Sequence, residues 1–262
     1  MSQQRAPRSP LKEIIKRSPG QSAQEQIDSI MDDEVVPAVM VAVIAILFAG
    51  FEWYRAVLHM PPMPWIMSVL AIVAIGYAIR KFKKYRTVIA QIRLGMEGER
   101  EVGQILSEEL ADAVVFHDIV CGGFNIDHAV IAPNGIFSVE TKTRTKRGGA
   151  EEQIVYDGEK ITIAGFEPER DAVVQAQANA KTLAKIIYDV TGQKVMVQPV
   201  VVFPGWWVNT TVKKPAVWVL NPTRLLGFIR HEPVKFTAAE IHVISEGLKR
   251  HQSRVASLVG KD

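Results

Sequence analysis

Two stretches of this chain, residues 35–51 and 60–79, contain no charged side chain. As helices each would extend about 26–30 Å, close to the hydrocarbon thickness of a bilayer. Both are apolar all round rather than along one stripe, which separates them from the one-sided helices that cover a soluble core. Trp53, Tyr54 and Trp65 stand at their inner ends, where an interfacial aromatic belt is expected. The connector carries Glu52, Arg55, His59 and Pro61-Pro62 and reads as the turn of a tight helical hairpin. These features predict two transmembrane helices, at about residues 35–52 and 62–80.

Charge orients the hairpin. Arg80, Lys81, Lys83, Lys84 and Arg86 follow the second run with no acidic residue among them. Arg5, Arg8, Lys12, Lys16 and Arg17 precede the first, while the connector has only Arg55. The positive-inside rule then places both termini, and everything after the second span, in the cytoplasm of a multi-pass protein of the cell membrane. A cleaved signal peptide does not fit, because a long polar segment precedes the first apolar run. The absence of intramembrane charge speaks against a transporter or channel.

The formal net charge of +3 suggests nucleic acid, but its source is local. From Thr87 onward there are 20 Lys and Arg against 21 Asp and Glu, so the rest of the chain is near neutral. The basic excess is the juxtamembrane cluster, which reports topology and anionic lipid rather than DNA. A single cysteine, Cys121, excludes an internal disulfide and a cysteine-built zinc site.

Along the chain, residues 1–34 are polar, with Pro7, Pro10 and Ser18-Pro19-Gly20, and read as a disordered tail. After the two spans, residues 81–90 read as a basic linker, 91–230 as the main soluble domain and 231–262 as a C-terminal helix. From Glu97, residues Val102, Ile105, Leu106 and Leu110 repeat at helical spacing. Residues 114–119, 125–132 and 136–143 read as strands. Residues 154–156 and 160–163 flank Asp157-Gly158 as a short hairpin. A long helix is expected over residues 168–188, and buried strands over 195–203 and 216–220. Asn221-Pro222 caps a short helix, and Thr237-x-x-Glu240 is a capping box for the last one. The order predicts an α/β domain with a mixed central sheet flanked by helices.

The chemistry-bearing residues lie on the second and third of these strands. Asn125-Ile126-Asp127-His128 and Val139-Glu140-Thr141-Lys142 are joined through the turn signal Pro133-Asn134-Gly135. Alternation sends Glu140 and Lys142 to one face, and a hairpin can bring Asp127 beside Glu140. Two carboxylates and an ammonium so placed bind a hard divalent cation and neutralise a phosphate, which points to metal-dependent phosphodiester cleavage. Taken singly, each is commoner as a solvated ion pair or a turn former. Together they adjoin apolar runs, where charge is costly unless paired or metal-bound. His128 alternates away from Asp127 and is expected to pack or hydrogen-bond. Arg144, Lys146 and Arg147 form a basic loop suited to gripping a phosphate backbone or simply solvated. Trp206-Trp207 suits packing more than base stacking.

The ordered set Gly95-x-x-Gly98-Glu99, His117-Asp118, Asn125-Ile126-Asp127-His128, Pro133-Asn134-Gly135-Ile136-Phe137 and Glu140-Thr141-Lys142-Thr143 resembles the nuclease-related domain, or NERD, family. Gln175 is similar to that family's helix glutamine, and the resemblance covers roughly residues 90–205. The family is assigned to the restriction-endonuclease-like superfamily, whose pattern is Asp followed by (Asp/Glu)-x-Lys; its preferred Pro before Asp is Ile126 here. The resemblance implies that fold, preceded here by the helical hairpin. It implies that Asp127, Glu140 and the Thr141 carbonyl bind Mg²⁺, with Mn²⁺ as a substitute, and that Lys142 orients water or neutralises phosphate. Glu99 matches a position that often supplies a further acidic ligand, and its alternative is an exposed helix glutamate. Gln175 would position water or a ligand, or bridge helix and sheet. The expected substrate is nucleic acid, DNA ahead of RNA, and a homodimer would supply two sites for two strands. The other reading is a catalytically silent module of the same fold that binds nucleic acid or a protein at the membrane.

Overall fold

The computed structural model describes residues 17–60, 63–146, 153–163 and 171–259. Expectations for the chain before Arg17 and for Pro61-Pro62, Arg147, Gly148-Gly149 and Pro168 lie outside the described residues. The chain forms two units: residues 21–96, and a second that joins Arg17–Gly20 to the chain from Glu97 onward.

The first unit holds α1 (Gln21–Ile30), a π-helical turn (Met31–Val35), α2 (Val36–Val57) and the first part of α3 (Pro64–Glu109). Both apolar segments are long enough to cross a membrane, with mean hydropathies of 2.4 and 1.6 in their most apolar windows. Their small residues Ala38, Ala42, Ala49 and Ala71 are buried, whereas Leu47 (66% exposed) and Ile72 (68%) face outward. Lys81 bonds Glu34, and the rings of Trp53 and Trp65 meet edge to face at 5.2 Å. Trp53 Nε1 donates to Ser68 Oγ (3.1 Å), closing the hairpin near its turn.

Two expectations need correction here. Residues 21–34 are helical rather than disordered, because Gln21–Glu25, Gln24–Asp28 and Ser29–Asp33 bond along one face and Ile27 is buried. The basic segment 81–90 is not a linker. It is the middle of α3, since Arg and Lys are good helix formers and no proline interrupts them.

The second unit is a mixed α/β domain. Its main sheet has the order β1-β2-β3-β6-β8, built from β1 (Val114–Val120), β2 (Asn125–Ala132), β3 (Gly135–Thr141), β6 (Val197–Val202) and β8 (Trp218–Leu220). β1, β2 and β3 are antiparallel neighbours, while β3, β6 and β8 run parallel. The end of α3 and α5 (Pro222–His231) cover one face through Val102, Leu106, Leu225 and Ile229. The other face meets α4 (Asp171–Thr191) and α6 (Ala238–Val259) through Leu183, Ile187, Ile244 and Leu248. Each such fully buried aliphatic contributes about 1.5–3 kcal/mol. The hairpin β4 (Gln153–Tyr156) and β5 (Ile161–Ile163) leaves the main sheet and pairs with β7 (Trp207–Thr210), a strand the sequence does not announce. Both cap expectations are realised: Asn221 accepts from Arg224 N, and Thr237 and Glu240 bond reciprocally.

Candidate active site

The site begins where β1, β2 and β3 stop behaving as a regular sheet. Phe116 and Ile119 face the same apolar cluster although three residues apart, and so do Ile126 and Ala129. Strict alternation would put each pair on opposite faces, so both strands turn over between them, at Asp118 and Asp127. Asp118 makes the turn with φ at 50°, a conformation tolerated best by Gly, Asn and Asp. The β2–β3 pairing runs from Ala132↔Gly135 to His128↔Val139 and ends there. One step further, Thr141 N donates to Asp127 Oδ2 at 2.7 Å. Asp127 is therefore not on a sheet face, as simple alternation has it. Its carboxylate takes a main-chain donor of β3 at the end of the ladder.

β3 continues along its other neighbour, with Glu140 paired to Val201 and Lys142 N donating to Val202 O (2.9 Å). Glu140, only 3% exposed, faces α4. Its Oε1 meets Lys142 Nζ at 2.8 Å and its Oε2 accepts from Asn179 Nδ2 at 2.8 Å. Lys142 Nζ also donates to Gln175 Oε1 at 2.8 Å. Gln175 and Asn179 are one turn apart on α4 and so share a face. Sequence reading missed Asn179, although its i+4 relation to Gln175 was a usable signal.

Glu99 comes from α3. Gly98 lets that helix approach the end of β3: a Cβ at Gly98 would lie 2.0 Å from Thr143 Oγ1. Burial pushes the Glu99 carboxyl up to about 7, and the charges of Asp118 and Glu140 push the same way. Burial, then Glu140 and Glu99, raise Asp127 well above the usual carboxylate range. Glu140 is raised by burial, against the opposing effect of Lys142 and Asn179. Desolvation is the largest cause at all three carboxyls, and Lys142 opposes it. Asp118, part of the sequence motif but given no role there, is buried and accepts from Asn125 Nδ2 (3.0 Å) and Arg17 Nε (2.9 Å).

The structure brings Asp127, Glu140, Lys142 and Gln175 together. Glu99 acts on Asp127 through its charge, and among the described residues no group of three or more His, Cys, Asp or Glu side chains is placed to hold a metal ion. The donors nevertheless fit a hard cation, because they are desolvated carboxylate oxygens, the ligand type such an ion prefers.

The remaining candidates are sorted by their surroundings. His128 is buried with Nδ1 2.9 Å from His117 Nδ1, so it hydrogen-bonds within the core as expected, and burial drives its pKa down to about 3. Trp206 is buried and donates from Nε1 to Arg144 O (3.0 Å), with Lys146 Nζ 5.5 Å from its ring. Trp207 is exposed, with Arg224 over its ring.

The family model of the nuclease-related domain, NERD, matches residues 94–204. No curated protein matches the chain. Among solved structures it is similar to SfsA of Pyrococcus furiosus, determined in complex with Ca²⁺, at 20% identity and a TM-score of 0.23. That match covers 46% of this chain and 52% of SfsA, so the chain spans about half the length of that relative.

Proposed function

We propose that this chain is a metal-dependent nuclease, held at a membrane by α2 and α3 with its α/β domain on the cytoplasmic side. One observation carries the reading. Asp127, Glu140 and Lys142 meet where β2 and β3 part, backed by Gln175 and Asn179, inside the segment that matches the nuclease-related domain. Asp127 and Glu140, with the Thr141 carbonyl and with Glu99 drawn in, would hold Mg²⁺ or Mn²⁺. Such an ion lowers the pKa of a water and offsets charge developing on the phosphoryl oxygens.

The protein's own groups set the stage for hydrolysis. Lys142, held between Glu140 Oε1 and Gln175 Oε1, is placed to neutralise a phosphate oxygen or fix the attacking water. Gln175 and Asn179 fix the rotamers of Lys142 and Glu140, so the constellation is preorganised. Water adds to phosphorus, the P–O bond to the leaving oxygen breaks, and that oxygen takes up a proton. DNA is the first substrate to test, then RNA, and a homodimer would present two sites to a duplex.

The other reading, a silent module that binds nucleic acid or a protein at the membrane, draws on the engagement of both Glu140 oxygens by Lys142 and Asn179. Thermal unfolding with and without Mg²⁺ separates the two. A nuclease site gives a metal-dependent rise in Tm that Asp127→Asn removes. An unchanged Tm sinks the nuclease reading.

A further inference from the structure

We propose that Arg17–Gly20, which lie ahead of both apolar helices, form a positioning element of the active site, so that the site is assembled from both ends of the hairpin. This rests on the nuclease reading for its chemistry, but not for its geometry.

Three contacts support it. Arg17 Nε donates to Asp118 Oδ2 at 2.9 Å, with the two side chains only 15% and 5% exposed. Asp118 is the buried residue at which β1 turns over, and its other oxygen is held by Asn125 from the mouth of β2. Pro19 packs on Gly103 of α3 so tightly that a Cβ there would meet Pro19 Cβ at 2.9 Å and Cγ at 2.5 Å. Gly20 N–H bonds the Glu99 carboxylate, one turn earlier on the same helix.

The segment therefore reaches both acidic residues that flank Asp127 and Glu140. Asp118 and Glu99 repel; the guanidinium offsets the first and the amide orients the second, as a buried carboxylate requires. A truncated domain beginning after the second span lacks all of these groups.

The test uses the full chain in detergent or nanodiscs, with Cys121→Ser as background. Pro19→Cys with Gly103→Cys brings two Cβ atoms within about 1 Å of the separation a disulfide spans. Oxidation should give an intramolecular disulfide, which neither single variant gives. A folded chain that forms none overturns the proposal. The oxidised enzyme should cleave as the reduced one does; activity lost on oxidation and recovered on reduction would make the segment a lid and overturn the positioning role. Arg17→Met should lower kcat at least about tenfold with KM within about twofold, and Arg17→Lys should recover part of the loss. Unchanged kcat in Arg17→Met contradicts the proposal. A parent that does not cleave at all counts against the nuclease reading alone, because the disulfide reports docking without activity.

Discussion

The two ends of the β2–β3 hairpin are made from the same strands and behave in opposite ways. At the turn end the ladder closes at Ala132↔Gly135, and Pro133 O accepts from both Lys235 N and Phe236 N. Asn134 reaches across to bond Glu232 O. Polar groups there are answered by the backbone. At the open end the ladder stops early, a carboxylate stands in for a strand carbonyl, and the buried Thr141 and Thr143 hydroxyls find no hydrogen-bond partner among the described residues. Burial raises three carboxyls, and like charge adds to it at Glu99 and Asp127. The difference teaches that one end is built for stability and the other carries a standing electrostatic cost, which is the usual mark of a site.

The sharpest way to break this comparison is to neutralise the open end. Glu140→Gln and Asp127→Asn should each reduce cleavage by at least about 10²–10³-fold. Asp127→Asn should leave Tm unchanged or higher, because it removes a desolvated like charge while keeping an acceptor; Glu140→Gln should lower Tm, because it breaks the 2.8 Å ion pair with Lys142. A Tm drop in Asp127→Asn would mean that this carboxylate is structural.

Gly98→Val tests how the open end is supported. The added bulk runs into Thr143 Oγ1, which an ideal Cβ already approaches to 2.0 Å. Overpacking of this kind costs about 1–3 kcal/mol, read from urea unfolding, and should lower activity as α3 and Glu99 shift.

A smaller effect follows from titration. The Glu99 carboxyl is raised from 4.5 to about 7 in the folded chain. Between those values the folded state holds a proton that the unfolded state has lost. Stability without metal should therefore be fully present below about pH 4.5 and fall as pH rises toward 7, by on the order of 1–3 kcal/mol less solvent screening. Glu99→Gln should flatten the slope, and Mg²⁺ should reduce it. A slope that is the same in the variant contradicts the assignment.

At the turn end, Asn134→Ala should cost about 1 kcal/mol of stability, the ordinary worth of a hydrogen bond, and leave cleavage unchanged. Altered cleavage there would erase the distinction between the two ends.

Much of this was legible before the structure. The chemistry-bearing strands matched closely because alternating apolar residues, a Pro-Asn-Gly turn and an Asp/Glu-x-Lys spacing are local signals. The helix under them, expected over residues 168–188, forms over Asp171–Thr191. What escaped depends on contacts between distant segments. Asp118 looks like any strand-end aspartate until Arg17 and Asn125 converge on it. Asn179 is an ordinary helix residue until Glu140 faces it. The sequence divides α3 because hydropathy changes abruptly at Arg80, yet helix propensity does not. β7 lacks an apolar alternation strong enough to stand out and exists because β4 offers it an edge.

The central claim is tested most directly by cleavage of labelled duplex DNA, single-stranded DNA and RNA by the full chain, beside Glu140→Gln, with Mg²⁺, with Mn²⁺ and with chelator. Metal-dependent cutting that vanishes in Glu140→Gln is the predicted result. A folded parent that cuts no substrate with either metal, or a Glu140→Gln variant that cuts as well as the parent, would contradict it.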